Sequence, residues 1–366
     1  MNETKSGKKP MTPRDNYLSI ARRTGYEYMP ASINLCPSLK LKFDEYLKTH
    51  DLVIPKGEMS VPDLRVKAAS PEYFKEHYYK DKDFKPGTNI DIWGVAHEPG
   101  SEAAFHMTYM HHPMDGFDSV EQIMAYPLPE FLPESAEEQK KGAEQIHKAG
   151  FAVMGNMQCT VWETAWYMRG MENLMCDMME GSPMATALLD RVTDLAVQRA
   201  VSFTESGADC LFLGDDIGTQ RTIMMSESLY GEWLKPRLKR VIDSAKAINP
   251  DILIFYHSCG YVTELIPQLI EAGVDVLDPV QPECMDFREL REKFGDRLSF
   301  HGTVGTQSVM PFGTPEDVRR TVFENLDIAG REGGLLVCPT HMLEPEVPVE
   351  NVVAYIDACR DYTGMR

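Results

Sequence analysis

The chain has 366 residues, 43% of them hydrophobic and 25% charged, which is the profile of a globular protein long enough for one large α/β domain. A net charge of −19 argues against nucleic acid or an anionic membrane as the main partner, since both attract basic surfaces. No apolar stretch approaches a membrane span, the start MNETKSGKKP is polar, and eight cysteines without a CxxC pair suit reduced thiols, so a cytoplasmic protein is expected.

Residues 1–10 are charged and small and read as a disordered tail, with a single domain expected over 11–366. Thr12-Pro13-Arg14 opens a helix, because proline at the first turn loses no hydrogen bond. A first strand is expected near Tyr28–Asn34. From 27 to 130 frequent prolines punctuate short mixed segments, which reads as an elaborated lead into the fold; His106, His111 and His112 read as loop surface. Beyond Glu134 the pattern is regular. A helix at 134–149 leads to a strand at Phe151–Met157, then helices near 162–180 and over Leu188–Ser206, a strand at Asp209–Leu213 and a long helix over 226–248. The apolar run ILIFY (252–256) reads as a buried strand, followed by a helix at Val262–Glu271 and the strand VDVLDPV (274–280). A helix near 286–293, the strand LSFHGTV (298–304), a helix opened by Thr314-Pro315-Glu316, the strand GLLVCPT (334–340) and a helix from Val349 complete the chain.

Such alternation of strand and helix is the signature of a parallel α/β fold. Each strand is apolar until it ends in a functional group: Gln158, Asp215 and Asp216, His257 and Cys259, Asp278, His301, Cys338. Active sites of (β/α)8 barrels are assembled from such strand ends, and no GxGxxG or GxxxxGK[ST] follows any strand. The expected fold is therefore a (β/α)8 TIM barrel with an elaborated N-terminal segment.

His257 and Cys259 stand two residues apart where a strand ends, so they can face one ion, and Cys338 ends another strand of the same kind. Two thiols and an imidazole with a fourth position open is the composition of a catalytic zinc site. The plainer alternative is that two buried cysteines and a satisfied histidine finish core strands. Of Asp215 and Asp216, at most one can face the mouth, and the other is expected to cap a neighbouring loop or helix. Glu163, Asp215 and His301 are the candidate catalytic groups. The segment from Trp162 to Met171 is rich in aromatic and methionine side chains; with Met157 and Tyr256, Trp162 and Trp166 form either ordinary core or a wall for a flat apolar substrate.

GDDIGTQRTIMMS (214–226), HSCGYVTELIPQLIEAGVDVLDPVQP (257–282), FGDRLSFHGTVGTQ (294–307) and PTHMLEPEVPVENV (339–352) together resemble the uroporphyrinogen decarboxylase superfamily. DIWGV (91–95) and HHPMDGFDSVEQIMAYPLPE (111–130) are similar to its leading segment, so the resemblance spans nearly the whole chain and implies a (β/α)8 barrel. The decarboxylase branch carries an arginine-rich segment that here corresponds to RRTGYEYMPAS (22–32), which keeps neighbouring arginines but not the motif. The cobalamin-dependent methyltransferase branch is similar at the HxC position and at the later cysteine. That resemblance carries a zinc role onto His257, Cys259 and Cys338. With no DxHxxG corrinoid motif in the chain, cobalamin is expected on a separate corrinoid protein. The resemblance extends to aryl-ether O-demethylase components, implying methyl transfer from a methoxylated aromatic compound to cob(I)alamin. The alternatives are a methylcobalamin:thiol methyltransferase of the coenzyme M type, a decarboxylase, and a zinc-stabilised binding scaffold without enzymatic activity.

Overall fold

The computed structural model describes residues 10–50, 52–101 and 107–364. The expected tail at 1–10, apart from Pro10, lies outside them, as does His106. Seven parallel strands form one curled sheet in sequence order: β1 (Glu58–Ser60), β2 (Ala152–Asn156), β3 (Cys210–Gly214), β4 (Leu253–His257), β5 (Val276–Val280), β6 (Ser299–Val304) and β7 (Leu335–Pro339). All six pairings are parallel, and helices separate β2 from β3 and each later pair, as right-handed crossovers require.

The strands from β2 onward fall where the apolar runs placed them. The expected first strand does not form: Tyr28–Asn34 is irregular, and the first strand of the sheet is the three-residue β1. The reason is visible in the pairing. Ala31 N–H donates to the Pro55 carbonyl (2.9 Å) just before β1, while Leu343 N–H donates to the Asn34 carbonyl (2.8 Å) and Cys36 N–H to the Leu343 carbonyl (2.9 Å) just after β7. The segment thus lies between the two sheet edges and bonds to both, with a single bridge at Leu35–Leu343 rather than a ladder. Among the described residues the sheet has seven strands, and the eighth expected of a complete (β/α)8 barrel is not formed.

The expected helix near 162–180 is two helices, Trp162–Arg169 and Met171–Met179, because Gly170 between them has φ +86°, outside the helical region. The proline-rich lead contributes helices at Pro37–Thr49, Pro71–Tyr78 and Val120–Ala125 and two small antiparallel sheets. No helix of the described residues is long and apolar enough to cross a membrane.

The first helix, Pro13–Ala21, is capped by the Thr12 hydroxyl and is tied to the sheet through Arg14. Arg14 Nη2 lies 2.6 Å from Asp209 Oδ1, and Asp209 also accepts from Val153 N–H and bonds to His147 Nε2, both at 2.9 Å. Burial opposes the charge of Asp209, but these partners hold its carboxyl below the ordinary range. Its stabilisation is therefore present above the ordinary carboxylate range and is lost as pH falls through the lowered value. Asp209→Asn should cost about 2 kcal/mol at neutral pH, below the usual cost of breaking a fully buried pair because Arg14 is partly solvated. Urea midpoints of the two proteins should converge on acidification; a gap that stays constant to pH values below the carboxylate range would remove the charge from the account.

Candidate functional site

The sheet ends at a polar cavity of about 520 Å³ lined by β1, β2, β3, β4, β5, β6 and β7 together with residues 32, 34 and 340–342. Alternation selects the lining. Glu58 and Ser60 of β1 and Met154 and Asn156 of β2, each two apart, face inward, as do Phe212, His257, Asp278, His301 and Cys338 from the following strands.

Asp278 organises the floor. It lies opposite His257 in the β4–β5 register, and its two carboxylate oxygens take the Nδ1 atoms of two histidines: Oδ2 from His257 at 2.5 Å, and Oδ1 from His301. Burial works against charge on both rings, yet both imidazoles are raised well above their ordinary range, His257 by Asp278 and then Cys259, His301 by Cys338 and then Asp278. Asp278 itself is held far below the usual carboxylate range, because the two rings outweigh its burial. With Nδ1 engaged, the Nε2 of His257 is turned to Cys259, whose Sγ is 3.5 Å away. Gly214 allows this approach of β3 to β4. It has φ +152°, and a side chain there would meet the His257 carbonyl at 2.4 Å and the His257 Cβ at 2.6 Å.

Asp216 completes the group. Its Oδ1 accepts the Cys259 N–H (2.7 Å) and lies 3.9 Å from His257 Nε2. One ligand atom from each of Asp216, His257 and Cys259 falls within 4.8 Å of the others, a grouping of oxygen, nitrogen and sulfur donors that suits a zinc ion. The histidine held at Nδ1 by a carboxylate is the arrangement that fixes tautomer and ring plane in zinc sites. The third expected ligand, Cys338, stands apart from this group: its Sγ is 3.5 Å from the ring nitrogens of His301. It shares the cavity with His257, to which it is linked through His301 and Asp278.

The adjacent aspartates divide as the strand geometry requires. Asp215 is turned away from the cavity, 4% exposed, and accepts backbone N–H groups of Val161 (3.1 Å) and Glu163 (2.9 Å) at the start of the helix Trp162–Arg169. That helix has no side-chain cap of its own, so Asp215 supplies one from across the sheet. It was expected to cap or to catalyse; it accepts the helix N–H groups as a cap does, while Asp216 lies beside His257 and Cys259. Burial and the nearby Glu163 carboxylate push the Asp215 carboxyl up to about 8, against the pull of the backbone N–H groups. Glu163 lies between the aspartates and Tyr167: Oε1 accepts the Tyr167 hydroxyl (2.8 Å) and Oε2 the Asp216 N–H (3.1 Å). Burial, then the Asp216 charge, raises its carboxyl.

Of the two readings of the aromatic segment, core or wall, the placement of its residues fits core. Met157, Trp162 and Tyr256 are buried core residues, Trp166 packs against that core, and none of the four lines the cavity. A helical stripe of large apolar residues buries against the sheet because that removes the most apolar surface from water. His112 bonds through Nδ1 to the Tyr167 carbonyl (2.8 Å) and His111 pairs with Glu98, so neither joins the site. Arg22 and Arg23 reach the Asp251 carbonyl and Ser299, which precede β4 and open β6, at the end of the sheet opposite the cavity. Sequence reasoning missed Glu58, Ser60 and Asn34 as cavity residues, because β1 is too short to show alternation and Asn34 is on an irregular segment.

Known proteins fit this description. The chain is 29% identical over 207 residues to a methylated-thiol–coenzyme M methyltransferase of Methanosarcina mazei, covering 54% of this chain and 50% of that protein. It is 23% identical over 189 residues to a methylcobamide:CoM methyltransferase of Methanosarcina barkeri (50% and 52%), and 25% identical over 156 residues to a uroporphyrinogen decarboxylase of Hordeum vulgare (43% and 44%). The chain thus spans about half the length of these relatives. Its fold matches a solved methyltransferase from Methanosarcina mazei with a TM-score of 0.66 over 96% of this chain and 99% of the other, at 16% identity. The family model for uroporphyrinogen decarboxylase (URO-D) matches residues 90–362, and with the fold and the strand-end site in place the chain belongs to that family.

Proposed function

We propose that this chain is a corrinoid-dependent methyltransferase that moves a methyl group from a corrinoid carried on a separate protein to a small thiol. The observation that carries the reading is the group of Asp216, His257 and Cys259 donors beside an open polar cavity at the strand ends. In this reading Asp216, His257 and Cys259 would hold a zinc ion, and Cys338, which lies beside His301 and outside that grouping, would join them only by turning away from His301. Zinc there supplies a Lewis-acid centre that keeps a thiol deprotonated at neutral pH.

The protein groups do the rest. Asp278 holds His257 at Nδ1 and leaves Nε2 turned toward Cys259. His301, held by the same carboxylate, lies against Cys338. Glu163 has a raised carboxyl beside Asp216 and is suited to take up the proton that the substrate thiol gives off. The cavity mouth is where a corrinoid-carrying partner would present its methyl group.

Transfer from a methoxylated aromatic compound has less support, since the residues expected to receive a flat ring are in the core. A decarboxylase would need cations for its substrate's carboxylates, and no lysine or arginine among the described residues lines this cavity. The relatives whose names include coenzyme M favour the thiol reading. Zinc-loaded protein mixed with methylcobalamin and short thiols should convert methylcobalt to cobalamin and yield the methyl thioether in equal amount. Loss of a methoxyphenol's methyl group to reduced cobalamin, with every thiol inert, would return the aromatic reading to first place.

A further inference from the structure

The polar cavity continues past the sheet edge. Beyond the bond from Ala31 N–H to the Pro55 carbonyl, no backbone hydrogen bond joins residues 32–35 to β1 among the described residues. A second cavity of about 560 Å³ lies across that gap, and Ser32, Asn34, Glu58 and Ser60 line both spaces. The second cavity is a crevice beneath the helix Pro37–Thr49. Spacing sets its helix side: Lys40, Phe43, Asp44 and Leu47 are three or four residues apart in steps and share one face. Alternation supplies the facing wall, since Met59 lies between the inward Glu58 and Ser60 and is turned the opposite way. Ile33, Leu35 and Ile54 complete an apolar lining with Phe43, Leu47 and Met59. The two lysines on the lining are engaged: Lys40 pairs with Asp44 at 2.6 Å, and Lys56 acts on the Glu58 charge.

We infer that the thiol substrate carries an uncharged apolar tail, which runs from the polar cavity through the gap beside β1 into this crevice. The inference rests on the proposed methyl transfer to a thiol and names the class of thiol. Continuity is its first support: the four shared residues make the two spaces one cleft, polar beside His257 and apolar beyond β1. Composition is the second. Six apolar side chains line the crevice, with Met59 40% exposed, and covering such surface with methylene groups removes it from water. Charge is the third, because the lysines there are already answered by Asp44 and Glu58. An uncharged chain leaves those pairs intact, whereas a sulfonate drawn into the crevice would give up its water among aliphatic side chains. The volume also falls in the range of sites that enclose small ligands.

The test compares ethanethiol, 1-butanethiol and 1-hexanethiol with 2-mercaptoethanesulfonate, using methylcobalamin as donor. Each added methylene should raise kcat/KM about fourfold until the crevice is filled, mainly through KM, and the sulfonate should fall below hexanethiol. Met59→Trp narrows the crevice from an exposed position, and Met59→Asp places a charge in it. Each should bring the ratio of hexanethiol to ethanethiol close to unity. No gain with chain length in the wild type, a ratio unchanged in both variants, or a sulfonate that outruns hexanethiol would overturn the inference. If no thiol is methylated, the proposed function fails, and the crevice is still read by thermal shift with the sulfur-free hexan-1-ol and ethanol. Stabilisation of the wild type by hexan-1-ol alone, lost in the Met59 variants, supports the apolar site; no stabilisation, or one unchanged in both variants, refutes it.

Discussion

Cys259→Ala should yield a folded protein that no longer retains zinc and methylates thiols at least about a thousandfold more slowly. The residue sits past the end of β4, half-buried, with its backbone N–H held by Asp216, so the fold does not depend on its sulfur. Its thiol is raised by burial and lowered by His257, the poise of a group that deprotonates when a cation arrives. Metal analysis should find about one zinc per chain in the wild type and almost none in the variant. Cys338→Ala should weaken zinc binding less, since its Sγ lies beside His301 and outside the grouping of Asp216, His257 and Cys259. Asp216→Ala should bind it more weakly but still bind it, because a carboxylate is the harder and more replaceable donor. Full zinc content in both cysteine variants, with normal circular dichroism, would dismantle the proposed ligand set.

Asp278→Asn should have the second largest effect. The carboxylate takes two imidazole N–H groups from neighbouring strands, and a neutral amide of the same shape can accept them only with its one oxygen. His301 would lose the anion that holds its charge, and His257 would be free to turn its ring. Zinc affinity and methyl-transfer rate should each fall about 10- to 100-fold, the cost typical of removing a group that orients a metal-binding histidine. Chelator competition measures the first and stopped-flow absorbance of methylcobalamin the second. Affinity equal to that of the wild type would mean that packing alone orients His257.

The sheet from β2 onward was legible because each strand is a short apolar run closed by a polar residue, and that same closing residue announced His257, Asp278, His301 and Cys338 as cavity residues. β1 was not, since Glu-Met-Ser has neither length nor an apolar run, and a residue such as Glu58 reveals its direction only once the strand has a neighbour. The pairing of Cys338 with His301 depends on the stagger of β6 against β7, where His301 sits beside Leu336 and Thr303 beside Cys338; no local pattern encodes it. The aromatic stripe at 162–171 stayed open between core and binding wall because the two share one composition, and only the side from which the helix meets the sheet separates them. Asp215 and Asp216 were separable as a pair but not individually, since alternation gives opposite directions without saying which one is inward.

The irregular segment joining the two sheet edges bears on how such a site can change its substrate. Ser32 and Asn34 line the cavity from a stretch held by backbone bonds to Pro55 and Leu343, not by a ladder. Side chains there can be exchanged, and a residue added or removed, without shifting the strands that carry His257 and Cys338 or the strand ends that place Asp216 and Cys259. Reactive chemistry and substrate choice are thereby mounted on separable parts of one chain, so that a library confined to residues 31–35 can explore new thiols while the reacting end stays as it is.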